Sequence, residues 1–152
     1  MLGVIGGTGL SQMNGFEPAG QERVATPFCK EKIEIDLLQR NGCKLAFLLR
    51  HGKKHENPPH KINYQANIWA LHKLGVDKII AVNAVGGIHK NLGPGCLAVP
   101  VQIIDYTHGR VATYFKENLQ DVMHIDFTYP FTETLRSALL DSANIMNMKS
   151  SS

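Results

Sequence analysis

The stretch LAFLLRHG, residues 45–52, decides the fold, because five apolar residues run directly into Arg50, His51 and Gly52. An uninterrupted apolar run of this length is typical of a strand that is buried on both faces of a sheet. Two other apolar runs open into glycine-containing loops, GGTG at residues 6–9 and NAVGG at residues 83–87. Ligands of parallel α/β sheets bind beyond the carboxyl ends of the strands. The three strand ends therefore predict one anion site.

The segments around this strand predict an α/β fold. An alternating strand at 33–37 leads through Asn41-Gly42, a strong hairpin signal, into a return strand at 44–49. Asn63 caps a predicted helix over 64–74, which Gly75 ends, and a buried strand follows at 78–82. Because a helix between two strands is a crossover unit, the central sheet is predicted to be parallel at these strands.

The remaining segments give weaker signals. Residues 11–27 are polar and show no sustained period, so no element is predicted there. Residues 97–104 predict a strand in which Pro100 marks a bulge or an edge. A long loop over 105–131 is expected to be functional or to pack on a partner. A last helix is predicted to begin at Thr132, and no strand is predicted after it.

The composition is that of an ordinary globular domain. The chain has 152 residues, 43% hydrophobic and 19% charged, with a formal charge of +3. This mild basic excess suits a small anionic ligand and does not indicate a nucleic-acid partner. The three cysteines lack CxxC spacing and predict reduced thiols and a cytoplasmic location. We expect no signal peptide and no membrane span.

Each candidate group in the predicted anion site also has a plain structural explanation. The glycines at 6–9 could form only a tight strand exit, and they match neither a Walker loop nor the dinucleotide fingerprint. Arg50 could be a surface arginine, His51 a structural histidine, and 83–87 a packing turn. The cationic segment 51–61 is predicted to be a loop, either solvated or able to close over an anion. A zinc site at His51 and His55 is disfavoured because Gly52 and Pro58-Pro59 oppose a helix there and no cysteine or carboxylate completes the ligand set.

Three phrases together identify a resemblance to a known family. IGGTGL at 5–10, RHG at 50–52 and NYQANIWAL at 63–71 resemble the trimeric purine nucleoside phosphorylase and methylthioadenosine phosphorylase family. The phrases at 82–88, 104–107 and 124–127 are most similar to its bacterial branch that acts on S-methyl-5'-thioinosine. The resemblance covers residues 1 to about 145. It implies a three-layer α/β fold with a mixed central sheet flanked by helices, incomplete at the carboxyl end, in which residues 1–152 form the N-terminal part of a single domain.

The resemblance also implies a reaction, namely phosphorolysis. Orthophosphate would attack the anomeric carbon of a purine nucleoside and release the base and a ribose 1-phosphate. Five residues are implied to bind phosphate: Thr8, Arg50, His51, Asn83 and Ala84. His124 is implied to reach across a trimer interface toward the neighbour's 5'-substituent. No metal or organic cofactor is implied, since phosphate is a co-substrate, and no individual catalytic residue is assigned.

The resemblance leaves one departure and several alternatives. Family chains continue beyond the residues matched here, and their later part holds the ribose and purine contacts. We therefore expect little or no activity from the 152-residue chain alone. One alternative is a phosphate-binding or interaction remnant without catalysis, and another is methylthioadenosine as the substrate. A third, suggested by the first strand and its glycines, is a dinucleotide-binding oxidoreductase domain.

Overall fold

The computed structural model describes residues 1–10, 13–115 and 122–152, with Thr8 described by its backbone alone. The chain forms two compact units. The first comprises Met1–Ala84 and the described part of the segment that begins at Gly109. The second comprises Val85–His108 and the described part of the stretch that ends at Ser152. The prediction of a single domain for the whole protein stays a prediction.

A five-stranded mixed sheet forms the first unit, in the order β2-β3-β4-β1-β5. Its strands are β1 (Leu2–Gly6), β2 (Glu17–Val24), β3 (Ile33–Arg40), β4 (Cys43–Leu49) and β5 (Lys78–Ala81). β1 lies between β4 and β5 and is parallel to both, whereas β2, β3 and β4 form an antiparallel meander. The mixed sheet and its parallel central strands confirm the prediction. β2 was not predicted, because half of its residues are polar, it contains a proline and a glycine, and it pairs only as an edge strand.

The hairpin between β3 and β4 closes through two residues, with Arg40 paired to Cys43. Asn41 has φ 50° and Gly42 has φ 77°. Two consecutive positive φ values are the requirement of the type I′ turn that the dipeptide predicts. The hairpin therefore sets the register of β4, and with it the position at which Arg50 leaves the sheet.

One helix, α1 (Tyr64–Lys73), follows the segment that leaves β4. Asn63 caps it as predicted, since its side chain accepts a hydrogen bond from the amide of Ala66 at 3.0 Å. The chain then turns at Gly75, which has φ +83°, and enters β5. This helix-to-strand crossover places β5 beside β1 and confirms the predicted crossover unit.

Apolar packing covers both faces of the sheet. On one face the α1 residues Ala70 and Leu71 are fully buried against Ile35, Ala46 and Leu48. On the other face Val4, Leu45 and Phe47 pack with partly buried residues from the chain that follows β1. The strand LAFLL is thus buried on both sides, as its continuous apolar run predicts.

The second unit is smaller and has little regular structure among its described residues. Its elements are β6 (Leu97–Ala98), α2 (Glu133–Ile145) and β7 (Ser150–Ser151). Arg136 of α2 donates a hydrogen bond to the carbonyl of Pro100 at 2.9 Å. No helix in the described residues is long and apolar enough to cross a lipid bilayer.

Two sequence predictions for this unit were wrong. The strand predicted over 97–104 is only two residues long, because Pro100 comes two residues after its end and cannot donate to a ladder. A strand does follow the last helix, since Ser150 and Ser151 pair in parallel with Leu97 and Ala98. Two serines carry no apolar pattern, so the sequence gives no signal for this strand.

Candidate functional site

Three strand exits meet at one edge of the first unit, because β4, β1 and β5 are parallel neighbours. The backbone ladder continues just past the strands at this edge. The amide of Arg50 donates to the carbonyl of Gly6 at 3.1 Å, and the amide of Val82 donates to the carbonyl of Ile5 at 2.9 Å. The residues that follow each strand are therefore held side by side, as the sequence predicts.

A pocket of about 370 Å³ opens at this edge, and every one of its lining residues belongs to the first unit. The lining residues are Gly7, Gly9, Leu10, Arg50, His51, His55, Val82, Asn83 and Ala84. Four of the five predicted phosphate-binding residues, Arg50, His51, Asn83 and Ala84, are thus brought together. The fifth, Thr8, begins a 3₁₀ turn that spans Thr8–Leu10 directly after β1, and its side chain lies outside the described part of the chain.

The guanidinium of Arg50 lies across the β1 exit. Its Nη1 donates a hydrogen bond to the carbonyl of Val82 at 2.8 Å, which fixes the side chain to the chain that leaves β5. A Cβ atom added at Gly7 would lie 3.0 Å from Nη2 of the same group. Glycine at position 7 therefore lets the backbone approach the guanidinium closely. Because a guanidinium has five N–H donors, donors remain for an anion.

The imidazole of His51 is held by a closed loop. The residue is only 8% exposed. Its Nδ1 lies 2.8 Å from the carbonyl oxygen of Asn57, and its own carbonyl accepts a hydrogen bond from the amide of Asn57 at 3.0 Å. Since a carbonyl oxygen can only accept, Nδ1 is the protonated nitrogen in this contact. This tautomer leaves Nε2 without a proton when the ring is neutral.

The loop between His51 and Asn57 is built from several local contacts. Gly52 has φ +79°, and a Cβ there would collide with the carboxylate of Glu56. That carboxylate accepts a hydrogen bond from the amide of Lys54 at 2.9 Å. Lys53 forms an ion pair with Asp36 of β3 at 2.7 Å. The loop therefore needs glycine for a positive φ and forms an ion pair to the sheet, while most of its residues are exposed as predicted.

His55 is the site residue that sequence reasoning did not assign. Its ring stacks on that of His51, with centroids 4.7 Å apart and planes at 23°. Its φ of 56° is unusual for a residue with a side chain. The signal that could have found it is the presence of two histidines flanking a glycine turn directly after the buried strand.

Other predicted or possible sites have less structural support. His124 is exposed and belongs to the second unit. Among the described residues, no group of three or more histidine, cysteine, aspartate or glutamate side chains is placed to hold a metal ion. A larger pocket of about 530 Å³ in the first unit includes Asp36 in its lining. That carboxylate already bonds Lys53 and Gln21, so the strand-exit pocket is the better anion site.

Two groups of the first unit have shifted pKa values, and both lie outside the pocket lining. A hydrogen bond from the amino group of Met1, at 2.7 Å, lowers the pKa of the Asp77 carboxyl. Asp77 precedes β5, so this contact lies at the opposite end of the strand from the pocket. Burial raises the pKa of the Tyr114 phenol, which donates to the carbonyl of Gln65 at 2.9 Å. The first contact joins the N-terminus to the residue before β5, and the second joins Tyr114 to α1.

A family model described as the phosphorylase superfamily matches residues 2–152. The chain belongs to the phosphorylase superfamily. This membership confirms the family predicted from the three sequence phrases. It also leaves the dinucleotide-binding alternative without support.

Individual relatives agree with this assignment. The chain is 47% identical over 137 residues to a protein of Pseudomonas syringae pv. tomato named "Probable S-methyl-5'-thioinosine phosphorylase", covering 90% of this chain and 56% of that protein. It is 40% identical over 147 residues to S-methyl-5'-thioadenosine phosphorylase of Pyrococcus horikoshii, covering 97% of this chain and 56% of that one. The chain therefore spans about half the length of the curated relatives it matches.

A solved structure shows the same fold. Methylthioadenosine phosphorylase from Schistosoma mansoni, in complex with adenine, superposes with a TM-score of 0.86 at 36% sequence identity. The match covers 95% of this chain and 53% of that chain. The mixed sheet described above is thus the sheet of the nucleoside phosphorylase fold, and the predicted fold class is confirmed.

Proposed function

We propose that this chain supplies the phosphate-binding part of a purine nucleoside phosphorylase that acts in the salvage of methylthio-nucleosides. The observation that carries the proposal is the strand-exit pocket, in which Arg50, His51 and the 83–84 segment meet around about 370 Å³ of space. A fixed guanidinium, a fixed imidazole and glycine backbone at one sheet edge form a site for a small oxyanion. Membership of the superfamily supports phosphate as that anion.

The chemistry of phosphorolysis suits such a site. Phosphate is itself the nucleophile that attacks the anomeric carbon, so the protein has to position it and balance its charge. Arg50 is suited to this because its Nη1 is committed to Val82 at 2.8 Å and the rest of the guanidinium stays free to bind. Thr8 would add a hydroxyl from the turn after β1. No metal or organic cofactor takes part in this proposal.

The proposed substrate is S-methyl-5'-thioinosine, with methylthioadenosine as the alternative. The relative at 47% identity carries the thioinosine name, and that at 40% identity carries the thioadenosine name. We further propose that the complete protein is a cytoplasmic homotrimer in which His124 approaches the 5'-substituent bound by a neighbouring subunit. The free state of Cys29, Cys43 and Cys96 supports a reducing compartment.

A second function is phosphate binding without turnover by the 152-residue chain. The observation that favours it is length, since the match covers only 56% of either relative. Four of the residues proposed to bind phosphate line the strand-exit pocket. The nucleoside side is expected to depend on the part of the relatives that this chain does not span. We expect the chain alone to bind phosphate and to release no hypoxanthine from methylthioinosine.

Replacing Arg50 by alanine tests the proposed phosphate site. We expect calorimetric titration to show phosphate affinity falling at least about tenfold, because a charge-assisted contact with the anion is lost. The folded state should lose only about 1 kcal/mol, the usual net worth of a hydrogen bond such as that to Val82. Unchanged phosphate affinity in this variant would refute the assignment.

Arg40→Ala is the matched control, since it removes the same charge at the opposite end of the sheet. Arg40 ends β3 beside the hairpin and packs over the ring of Phe16 at 5.9 Å. We expect its phosphate affinity to stay close to that of the original chain. A turnover assay with methylthioinosine then separates the two functions: release of hypoxanthine supports a complete enzyme, and binding without release supports the second function.

A further inference from the structure

His51 is placed to do more than add charge to the pocket, because its protonation pattern is fixed by the fold. Nδ1 donates to the carbonyl of Asn57 at 2.8 Å, and the same two residues are joined by a second, backbone hydrogen bond at 3.0 Å. In a neutral ring Nε2 therefore carries a lone pair. Nε2 has no hydrogen-bond partner in the described part of the chain, and His51 lines the pocket.

A lone pair at Nε2 interacts differently with phosphate and with sulfate. Phosphate near neutral pH still carries a P–OH group, which can donate its hydrogen to Nε2. Sulfate has no such hydrogen, so its oxygens would face the Nε2 lone pair and be repelled by it. Sulfate can make a hydrogen bond only after Nε2 has taken a proton from solvent and become a donor. A charged ring can therefore hydrogen-bond either anion through Nε2. A neutral ring can hydrogen-bond phosphate and not sulfate.

We propose that His51 sets the oxyanion specificity of the pocket, selecting phosphate over sulfate by accepting the P–OH hydrogen at Nε2, and that His55 is the positioning residue that holds the His51 ring. This inference rests on the proposed function, since it concerns the same anion site. His55 stacks on the ring at a centroid distance of 4.7 Å. The stack and the Asn57 contacts together hold the imidazole from its face and its edge.

The charged groups near His51 and His55 lie in the pocket lining and in the loop. Arg50 and His55 are the other titratable or charged residues of the pocket lining. Within the loop, Lys53 is paired with Asp36 and the Glu56 carboxylate accepts from the Lys54 amide. The lining residues from the β1 and β5 exits are glycine, leucine, valine, asparagine and alanine. Among the described residues no carboxylate lies in the lining, so neither anion meets a fixed negative charge there.

Calorimetric titrations of the 152-residue chain with sodium phosphate and with sodium sulfate, at pH 6 and pH 8, test the inference. We expect sulfate affinity to fall about four- to tenfold between these pH values, the change that linkage gives for an average uptake of about 0.3 to 0.5 proton per anion bound. Phosphate keeps a P–OH group at both pH values but gains a second negative charge between them. The ratio of phosphate to sulfate affinity should rise severalfold from pH 6 to pH 8, and the share of this rise that His51 causes is the share that His51→Gln removes.

Variants separate the roles of the two rings. His51→Gln should remove most of the rise of the phosphate-to-sulfate ratio with pH, and the remainder reports the ionisation of phosphate itself. His55→Asn, which tolerates the left-handed backbone but removes the ring, should weaken the rise, and His55→Phe, which keeps a stacking ring, should restore most of it. His72→Gln, on an exposed position of α1, is the control and should leave the pH trend intact. Thermal unfolding of each variant verifies that it is folded.

The outcomes distinguish this inference from the proposed function. If neither anion binds, the proposed phosphate site and the specificity role both fail. If both anions bind and the ratio does not change with pH, or changes by the same amount in His51→Gln, only the role of His51 is overturned. If the trend survives in His55→Asn at full size, His51 keeps its role and His55 loses the positioning role.

Discussion

Gly7 shows how one missing side chain shapes the site. A Cβ at this position would lie 3.0 Å from Nη2 and 3.4 Å from Cζ of Arg50. Gly7→Ala should therefore push the guanidinium aside by a few tenths of an ångström without straining the backbone. We expect phosphate affinity, measured by calorimetric titration, to fall about three- to tenfold, as for partial loss of a charge-assisted hydrogen bond.

Gly9→Ala is the matched comparison for this prediction. Gly9 lies in the same turn, and apart from its chain neighbours a Cβ there would meet no atom of the described residues within 4 Å. Its phosphate affinity should fall less than that of Gly7→Ala. An equal or larger loss in Gly9→Ala would mean that the turn itself, rather than its contact with Arg50, controls the anion.

At the residue scale the sequence predicts groups that end a strand and misses groups placed by a loop. Arg50 and His51 follow β4 directly, so the parallel order of the strands suffices to bring them beside Asn83. His55 reaches the pocket only because Gly52 and His55 both have positive φ and the loop closes on Asn57. Periodicity and strand order contain no information about such backbone reversals.

At the element scale, Asn63 joins α1 to the segment before it. Its Oδ1 accepts from the amide of Ala66, and its Nδ2 donates to the carbonyl of Phe28, both at 3.0 Å. Asn63→Ala removes both bonds. We expect the free energy of unfolding, measured with urea, to fall by about 1 to 2 kcal/mol, a helix cap plus one further hydrogen bond.

The second helix offers the control for this capping effect. Thr132 occupies the N-cap position of α2 but makes no side-chain capping hydrogen bond. Thr132→Ala should therefore change the free energy of unfolding by no more than about 0.5 kcal/mol, as is usual for a surface substitution. A loss in Thr132→Ala as large as that in Asn63→Ala would contradict the capping explanation.

Elements with strong local chemistry were predicted well, and elements defined by pairing were not. Asn41-Gly42 favours a type I′ turn by its own backbone preferences, and α1 begins at its own cap residue, Asn63. Both elements lie where they were predicted. β2 and β7 are polar strands that exist because a neighbouring strand offers hydrogen bonds. The sequence of a strand does not name its partner, so such pairings follow only from the folded chain.

At the scale of the whole molecule, the described residues divide unequally between core and surface. Val99 and Ala143 are the buried apolar residues of the second unit, and the others belong to the first. The second unit instead exposes large apolar side chains, among them Ile88, Ile104 and Tyr106. Because buried apolar surface is the main source of stability, the first unit should be the more stable of the two.

Hydrogen exchange followed by mass spectrometry would measure this difference. We expect amides of β1 and β4 to exchange at least about 100-fold more slowly than those of β6 and β7, since local stability follows buried contacts. Leu71→Ala should lower the protection of β1 and β4 by about 2 to 5 kcal/mol, the cost of a buried Leu→Ala cavity. It should leave β6 and β7 nearly unchanged, because Leu71 lies in the core of the first unit. Equal protection of the two units, or an equal response to Leu71→Ala, would show instead that they unfold together.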